Sequence, residues 1–211
     1  MTCIVGIAQG GKVWMGGDAG SICNGIVNID TGGKVFRRGE FVMGCCGLAR
    51  ITDVVRYVFS PPPIKGELTA YMARKFVPAL ARCFEKAGVQ PPKDDEGAAY
   101  AGSVLVGVRG RLFLVDGGLA LTNESDGYNA VGSGSEVALG ALFASRGQKP
   151  EERVEVALKA AERWCDSVRG PFTVEHLPSP RRTIKRTSRM KTHVPVKQIR
   201  EAVKAVTSRK K

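Results

Sequence analysis

Thr2 stands directly behind the initiator Met1, and it leads straight into a strand-like run, TCIVGIA. Cells trim Met1 when the next side chain is small, and that trimming would make Thr2 the N-terminal residue. A threonine with its own free α-amine holds a nucleophile and a base in one residue. Its hydroxyl is a poor nucleophile until a base takes its proton. An α-amine, with an ordinary pKa of roughly 7.7–8.0, is well matched to that task near neutral pH. A lone acid, Asp18, closes the following apolar run, KVWMGGD. Taken singly, Thr2 reads as an ordinary second residue and Asp18 as a turn residue, so the elements around them decide.

Those elements read as follows. TCIVGIA and KVWMGGD flank Gly10-Gly11, which is a hairpin signal. A second glycine pair, Gly32-Gly33, separates GIVNI from KVFRR and predicts a second hairpin. FVMGCCG, residues 41–47, is a short buried strand. ARITDVVRYVF has helical spacing and ends at SPPP, because proline cannot continue a helix. In GELTAYMARKFVPALARCFEKAG, Leu68, Met72, Phe76, Leu80 and Phe84 fall on one stripe, with a kink expected at Pro78. The polar stretch VQPPKDDEG connects to a third hairpin, SVLVGV-RGR-LFLVDGG, and to short strands near ALTN and YNAVG. SEVALGALFAS, with Ser135 as its cap, and EERVEVALKAAERWCDSV are helices, and TVEHL is a last strand. Strands, two helices, strands, two helices and a strand predict an α+β fold. The helix pairs would cover the outer faces of two stacked sheets, a four-layer αββα sandwich.

Composition narrows the function classes. The chain has 211 residues, 43% of them hydrophobic, enough for a full core. No apolar run reaches the roughly 20 residues needed to cross a bilayer, and no secretory pattern precedes TCIVGIA. The six cysteines (Cys3, Cys23, Cys45, Cys46, Cys83, Cys165) contain no CxxC pair. They read as reduced thiols of a cytoplasmic protein, with Cys45 and Cys46 on opposite faces of a strand. With histidine only at 176 and 193, no metal is expected, and no cofactor. VGSGSEVALG invites a dinucleotide-binding reading, but GxGxxG would need glycine where Val137 stands. From Pro178 to Lys211 there are 12 Lys or Arg and one acid, so +11 of the chain's +12 lies in a cationic tail. Two domains are therefore expected: a near-neutral body, residues 2–177, and a basic extension, residues 178–211.

The ordered series TCIVGIA…GGD, KVF, CGLA and AVGSGSEVALGAL resembles the proteasome β-subunit and HslV peptidase family of N-terminal nucleophile hydrolases. The resemblance covers residues 2–177, and the order and spacing of its motifs carry it rather than any one of them. It implies the four-layer fold, with the N-terminal residue at the open end of the two sheets. It implies a threonine endopeptidase in which Thr2 is the nucleophile. Lys34, in GGKVF, would be the buried lysine beside it, and Asp18 would hold that lysine charged and in place. The Lys34 ammonium would disfavour protonation of the α-amine by like-charge repulsion. Gly47, in CCGLA, would supply the oxyanion-hole N–H; losing one such donor typically costs about 3–4 kcal/mol in the barrier. Ser133, in VGSGS, would lie near the α-amine. Cys45 would face the pocket for the residue before the scissile bond, or simply be a core thiol. Asp166 and Ser167, in WCDSVRGPF, fall where the pattern departs from the family, and they carry no assigned role.

The implied partners are other copies of the chain, in a homo-oligomeric ring, and an ATP-driven (AAA+) unfoldase. The substrate would be peptide or unfolded protein. The tail has no counterpart in the HslV pattern. Residues 178–193 read as disordered, and a helix is expected from Pro195, with Val196, Ile199, Val203 and Val206 on one stripe. A reading of another class follows from the tail: a catalytically weak or inactive ring or assembly protein on the same fold, whose basic arm holds nucleic acid or an acidic partner.

Overall fold

The computed structural model describes residues 2–89 and 102–180. The polar connection expected after Val89 and the tail helix expected from Pro195 lie outside these residues. The described part is a mixed α/β fold built on two antiparallel sheets.

β1 (Ile4–Gln9) and β2 (Lys12–Gly17) form the first predicted hairpin, with Gly10 and Gly11 both at positive φ (58° and 76°). That conformation suits glycine and matches the twist of the strands. β10 (Tyr128–Val131) and β11 (Thr173–Leu177) flank this hairpin to complete a sheet of order β10-β1-β2-β11. The second sheet runs β5 (Val35–Arg38), β6 (Phe41–Gly47), β7 (Gly102–Val108), β8 (Arg111–Val115) and β9 (Leu121–Asn123) in chain order.

The second predicted hairpin is corrected by the structure. β4 (Ile26–Ile29) pairs with β3 (Gly20–Cys23), not with β5, and the two form a separate ribbon. Its turn is Asn24-Gly25, with φ of 50° and 77°. This is the asparagine-glycine pair that most favours a two-residue hairpin. Gly32-Gly33 instead ends a turn that leads into β5.

Alternation along the strands explains why they are apolar on both faces. In β1, Ile4 enters a cluster with Val13, Met15, Val35, Val42, Leu105 and Leu112, drawn from both sheets. Its neighbour Val5 points the other way, to Leu142, Val154 and Leu158 of α4 (Ser135–Ala144) and α5 (Pro150–Trp164). In β6, Cys45 joins Phe41 and Met43 beneath the first helices, while Cys46 joins the cluster between the sheets. The adjacent cysteines therefore face opposite ways, as expected. Cys3, Cys45, Cys46, Cys83 and Cys165 are free thiols. Gly16 lets α5 lie close on β2, since a Cβ there would meet Val154 and Leu158 at 2.5 and 2.8 Å.

The first helical segment is α1 (Ala49–Asp53), which continues as π-helical turns over Val54–Val58. The second begins as α2 (Leu68–Tyr71), widens to π-helical turns over Met72–Phe76, and resumes as α3 (Val77–Lys86). Pro78 sits in the first turn of α3, directly after the widened stretch. Its ring would clash with the carbonyl four residues back in a continuous α-helix, and the wider turns come where that clash would fall. Met72, Phe76, Leu80 and Phe84 of the predicted stripe are buried, each contributing about 1.5–3 kcal/mol by leaving water. The helix α4 is capped by Gly134, so Ser135 is its first residue rather than its cap. α5 ends at Trp164, short of the predicted Val168. No helix among the described residues is long and apolar enough to cross a membrane.

Candidate active site

Thr2 precedes β1 and is 3% exposed. Its backbone nitrogen donates to Ser133 Oγ over 3.1 Å. Its carbonyl accepts from Gly134 N at 3.2 Å and from Ser133 Oγ at 3.4 Å. The turn between β10 and α4 therefore grips both ends of the Thr2 residue. Gly132 makes the approach possible: its φ is 97°, and a Cβ there would overlap the Thr2 carbonyl.

Asp18 follows β2 and is fully buried. Its Oδ1 accepts from Cys3 N at 3.0 Å, and its Oδ2 from Gly20 N at 3.1 Å and Arg169 N at 3.4 Å. Lys34 Nζ donates to both carboxylate oxygens, at 2.9 and 3.0 Å, and to the Gly20 carbonyl at 2.5 Å. The Lys34 side chain is 12% exposed. A buried charge is tolerable only when paired and hydrogen-bonded, and this pair meets that condition on both sides.

Lys34 is delivered by a tight turn. Asp30 Oδ1 accepts from Gly32 N at 2.8 Å, and Asp30 O accepts from Gly33 N at 3.2 Å. The Lys34 carbonyl then accepts from Cys45 N at 3.2 Å. These bonds join the start of β5 to β6, which ends at Gly47 with φ of 100°.

A cleft of about 510 Å3 opens beside this group. Thr2, Lys34, Cys45 and Gly47 line it, together with Thr52, Asp53 and Arg56 of the first helical segment and Ile29 of the β3–β4 ribbon. Asp18 lies behind Lys34 and Ser133 holds the Thr2 nitrogen, so the fold draws all five predicted residues to one end of the sheets. Burial, reinforced by neighbouring Cys46, pushes the Cys45 thiol upward, against an opposing pull from the Arg56 cation. Cys45 lines the cleft while its side chain stays buried with Phe41 and Met43.

Ser167 takes part although its sequence assigned it nothing. It is 2% exposed, and its Oγ lies 3.0 Å from Ser133 Oγ. Arg169, two residues on, places its N–H on Asp18 and its carbonyl on Ala19 N at 2.9 Å. Asp166 is exposed. The loop after α5 has no periodicity to mark it, and the only sequence signal was a serine beside an acid.

No family model matches the chain, and no curated protein matches it. Solved structures do. BPH of Thiobacillus denitrificans in complex with epoxomicin superposes with a TM-score of 0.70 at 17% identity, over 85% of this chain and 100% of that one. HslV from Trypanosoma brucei gives a TM-score of 0.58 at 20% identity, over 83% of this chain and 98% of that one. Anbu (ancestral beta-subunit) from Yersinia bercovieri gives 0.61 at 13% identity, over 84% and 82%. At these identities the likeness is one of fold.

Proposed function

We propose that this chain, which has the fold of the HslV- and proteasome-type N-terminal nucleophile hydrolases, is a threonine endopeptidase whose nucleophile is Thr2. One observation carries the reading: Thr2 and Lys34 share a cleft wall with Gly47, while Lys34 is fixed on a buried carboxylate and the Thr2 nitrogen on a serine hydroxyl. Its two sheets, with α1–α3 on one outer face and α4–α5 on the other, are read as a four-layer αββα sandwich.

Removal of Met1 converts the Thr2 nitrogen into an α-amine. That amine takes the Oγ proton, and Oγ attacks the peptide carbonyl. Lys34 offsets the negative charge gathering at Oγ, and its bonds to Asp18 keep it in place. The Gly47 N–H receives the developing oxyanion. The amine then passes its proton to the leaving nitrogen, and water releases the acyl group by the same route in reverse. Cys45, small and apolar, favours apolar side chains before the scissile bond. The enzyme acts in the cytoplasm as a ring of like subunits, fed with unfolded protein by an ATP-driven unfoldase.

Intact-mass measurement of the purified protein should show loss of one methionine. Epoxomicin should then add one equivalent at Thr2, and Thr2→Ala should abolish both labelling and peptide cleavage. A Met1-free protein that epoxomicin leaves unlabelled would overturn the reading. The +11 tail favours a second reading, a non-catalytic ring protein that holds nucleic acid. It requires salt-sensitive binding to DNA or RNA that disappears when residues 178–211 are deleted, and a gel shift at low salt tests it.

A further inference from the structure

We infer that Arg56 is a positioning residue for Lys34, its guanidinium clamping the peptide that delivers the lysine to the cleft; this rests on the peptidase reading above. Arg56 Nη2 donates to the Gly33 carbonyl over 2.6 Å. That carbonyl belongs to the peptide unit whose N–H is Lys34's own, so the bond fixes the plane from which the Lys34 side chain departs. Downstream, the Lys34 carbonyl is held by Cys45 N. Upstream, the Asp30 carboxylate and carbonyl hold Gly32 and Gly33. Arg56 adds a bond to this turn from the first helical segment.

The guanidinium is itself held in place. It lies 4.7 Å from the Phe36 ring centroid and 5.8 Å from that of Tyr57, a stacking geometry suited to a planar cation. The Arg56 carbonyl accepts from Arg38 Nη1 at 2.6 Å, which ties the π-helical turn to β5. Arg56 Nε is buried with no hydrogen-bond partner among the described residues. An orphaned buried donor is a penalty to the fold, and such penalties collect where position matters more than stability. Gly32 completes the fit, since a Cβ there would come within 2.7 Å of Arg56 Nη1. Displacements of about 1 Å near reacting groups are enough to cost roughly a hundredfold in rate.

Two other roles compete. Arg56 also lines the cleft, so it could bind acidic substrate side chains, although Asp30 and Asp53 line the same cleft and oppose that. It could also serve stability alone. The test is a double-mutant cycle on the full chain, with Arg56→Met, Lys34→Ala and the pair, read by peptide hydrolysis and by the rate of epoxomicin labelling. Arg56→Met should lower kcat at least tenfold with KM changed less than threefold. The double variant should be no slower than Lys34→Ala alone. Arg56→Lys, which keeps one donor, should recover part of the loss. Should Arg56→Met fold poorly, Gly32→Ala crowds Arg56 Nη1 at 2.7 Å, and Asp30 Oδ1 less closely at 3.2 Å, without deleting the guanidinium, and it should also lower kcat with little change in melting temperature. Additive losses in the cycle would overturn the inference, as would a KM rise confined to acidic peptides. If the wild-type protein is neither active nor labelled, the peptidase reading itself fails and the inference falls with it.

Discussion

Lys34 Nζ reaches both carboxylate oxygens of Asp18, at 2.9 and 3.0 Å, and Asp18 has no exposed surface. The two partners are not equivalent. Without Asp18, Lys34 loses both carboxylate contacts while its charge stays 12% exposed. Without Lys34, the carboxylate still accepts three backbone N–H groups, from Cys3, Gly20 and Arg169. Asp18→Ala should therefore destabilise by about 3–5 kcal/mol, as expected for breaking a buried pair. Lys34→Met should cost clearly less. Urea denaturation of both variants checks the order, and equal costs would show that the backbone donors do not hold Asp18.

The sequence exposed this site unevenly, for physical reasons. The β1–β2 hairpin was legible because Gly10-Gly11 is a two-residue turn between two apolar runs. The β3–β4 ribbon was less legible, because Gly32-Gly33 also lies between apolar runs although the ribbon's turn forms at Asn24-Gly25. Periodicity found the helices, since Met72, Phe76, Leu80 and Phe84 bury one stripe. It could not find Ser167 or the backbone of Arg169, which reach the site from a loop after α5. Nor could it single out Arg56, whose role depends on a turn 23 residues away in sequence.

Alkaline pH should weaken the fold through its buried thiols. Burial pushes Cys3 from 9.0 up to about 12 and moves Cys45 upward as well. A raised acid pKa means that the unfolded chain ionises first. The contribution is whole below pH 9 and is lost as pH climbs from 9 towards 12. Each thiol adds a slope approaching about 1.4 kcal/mol per pH unit in that window. Urea midpoints at pH 8 and pH 10 should differ accordingly, and Cys45→Ala should flatten the dependence. An unchanged slope in that variant would mean that Cys45 ionises freely in the native state.

Acid should act elsewhere, at the start of α2. Glu67 accepts from Thr69 N at 2.8 Å and Ala70 N at 2.7 Å, and these bonds hold its carboxyl down at about 2, against an ordinary 4.5. A depressed pKa contributes stability above the unfolded value. The cap is therefore whole above pH 4.5 and fades as pH falls to about 2. The difference in melting temperature between wild type and Glu67→Ala should shrink across that interval. A difference that stays constant down to pH 2 would show that the charge on Glu67 plays no part in the cap.

Two glycines, one in the turn after β10 and one inside α4, should respond in opposite ways. Gly132 sits at φ 97°, where a Cβ would overlap the Thr2 carbonyl. Positive φ alone costs a larger residue about 1–3 kcal/mol, and relief of the overlap must pull the Ser133–Gly134 turn away from Thr2. Gly140 lies inside α4 with nothing within 4 Å of the added carbon. Alanine there should stabilise by about 0.5–1 kcal/mol, the usual difference in a helix interior. Thermal melts should thus move down for Gly132→Ala and up for Gly140→Ala. On the peptidase reading, epoxomicin labelling of Thr2 should slow more than tenfold in Gly132→Ala and stay at the wild-type rate in Gly140→Ala. Normal labelling in a destabilised Gly132→Ala protein would mean that the grip on Thr2 serves the fold and not the nucleophile.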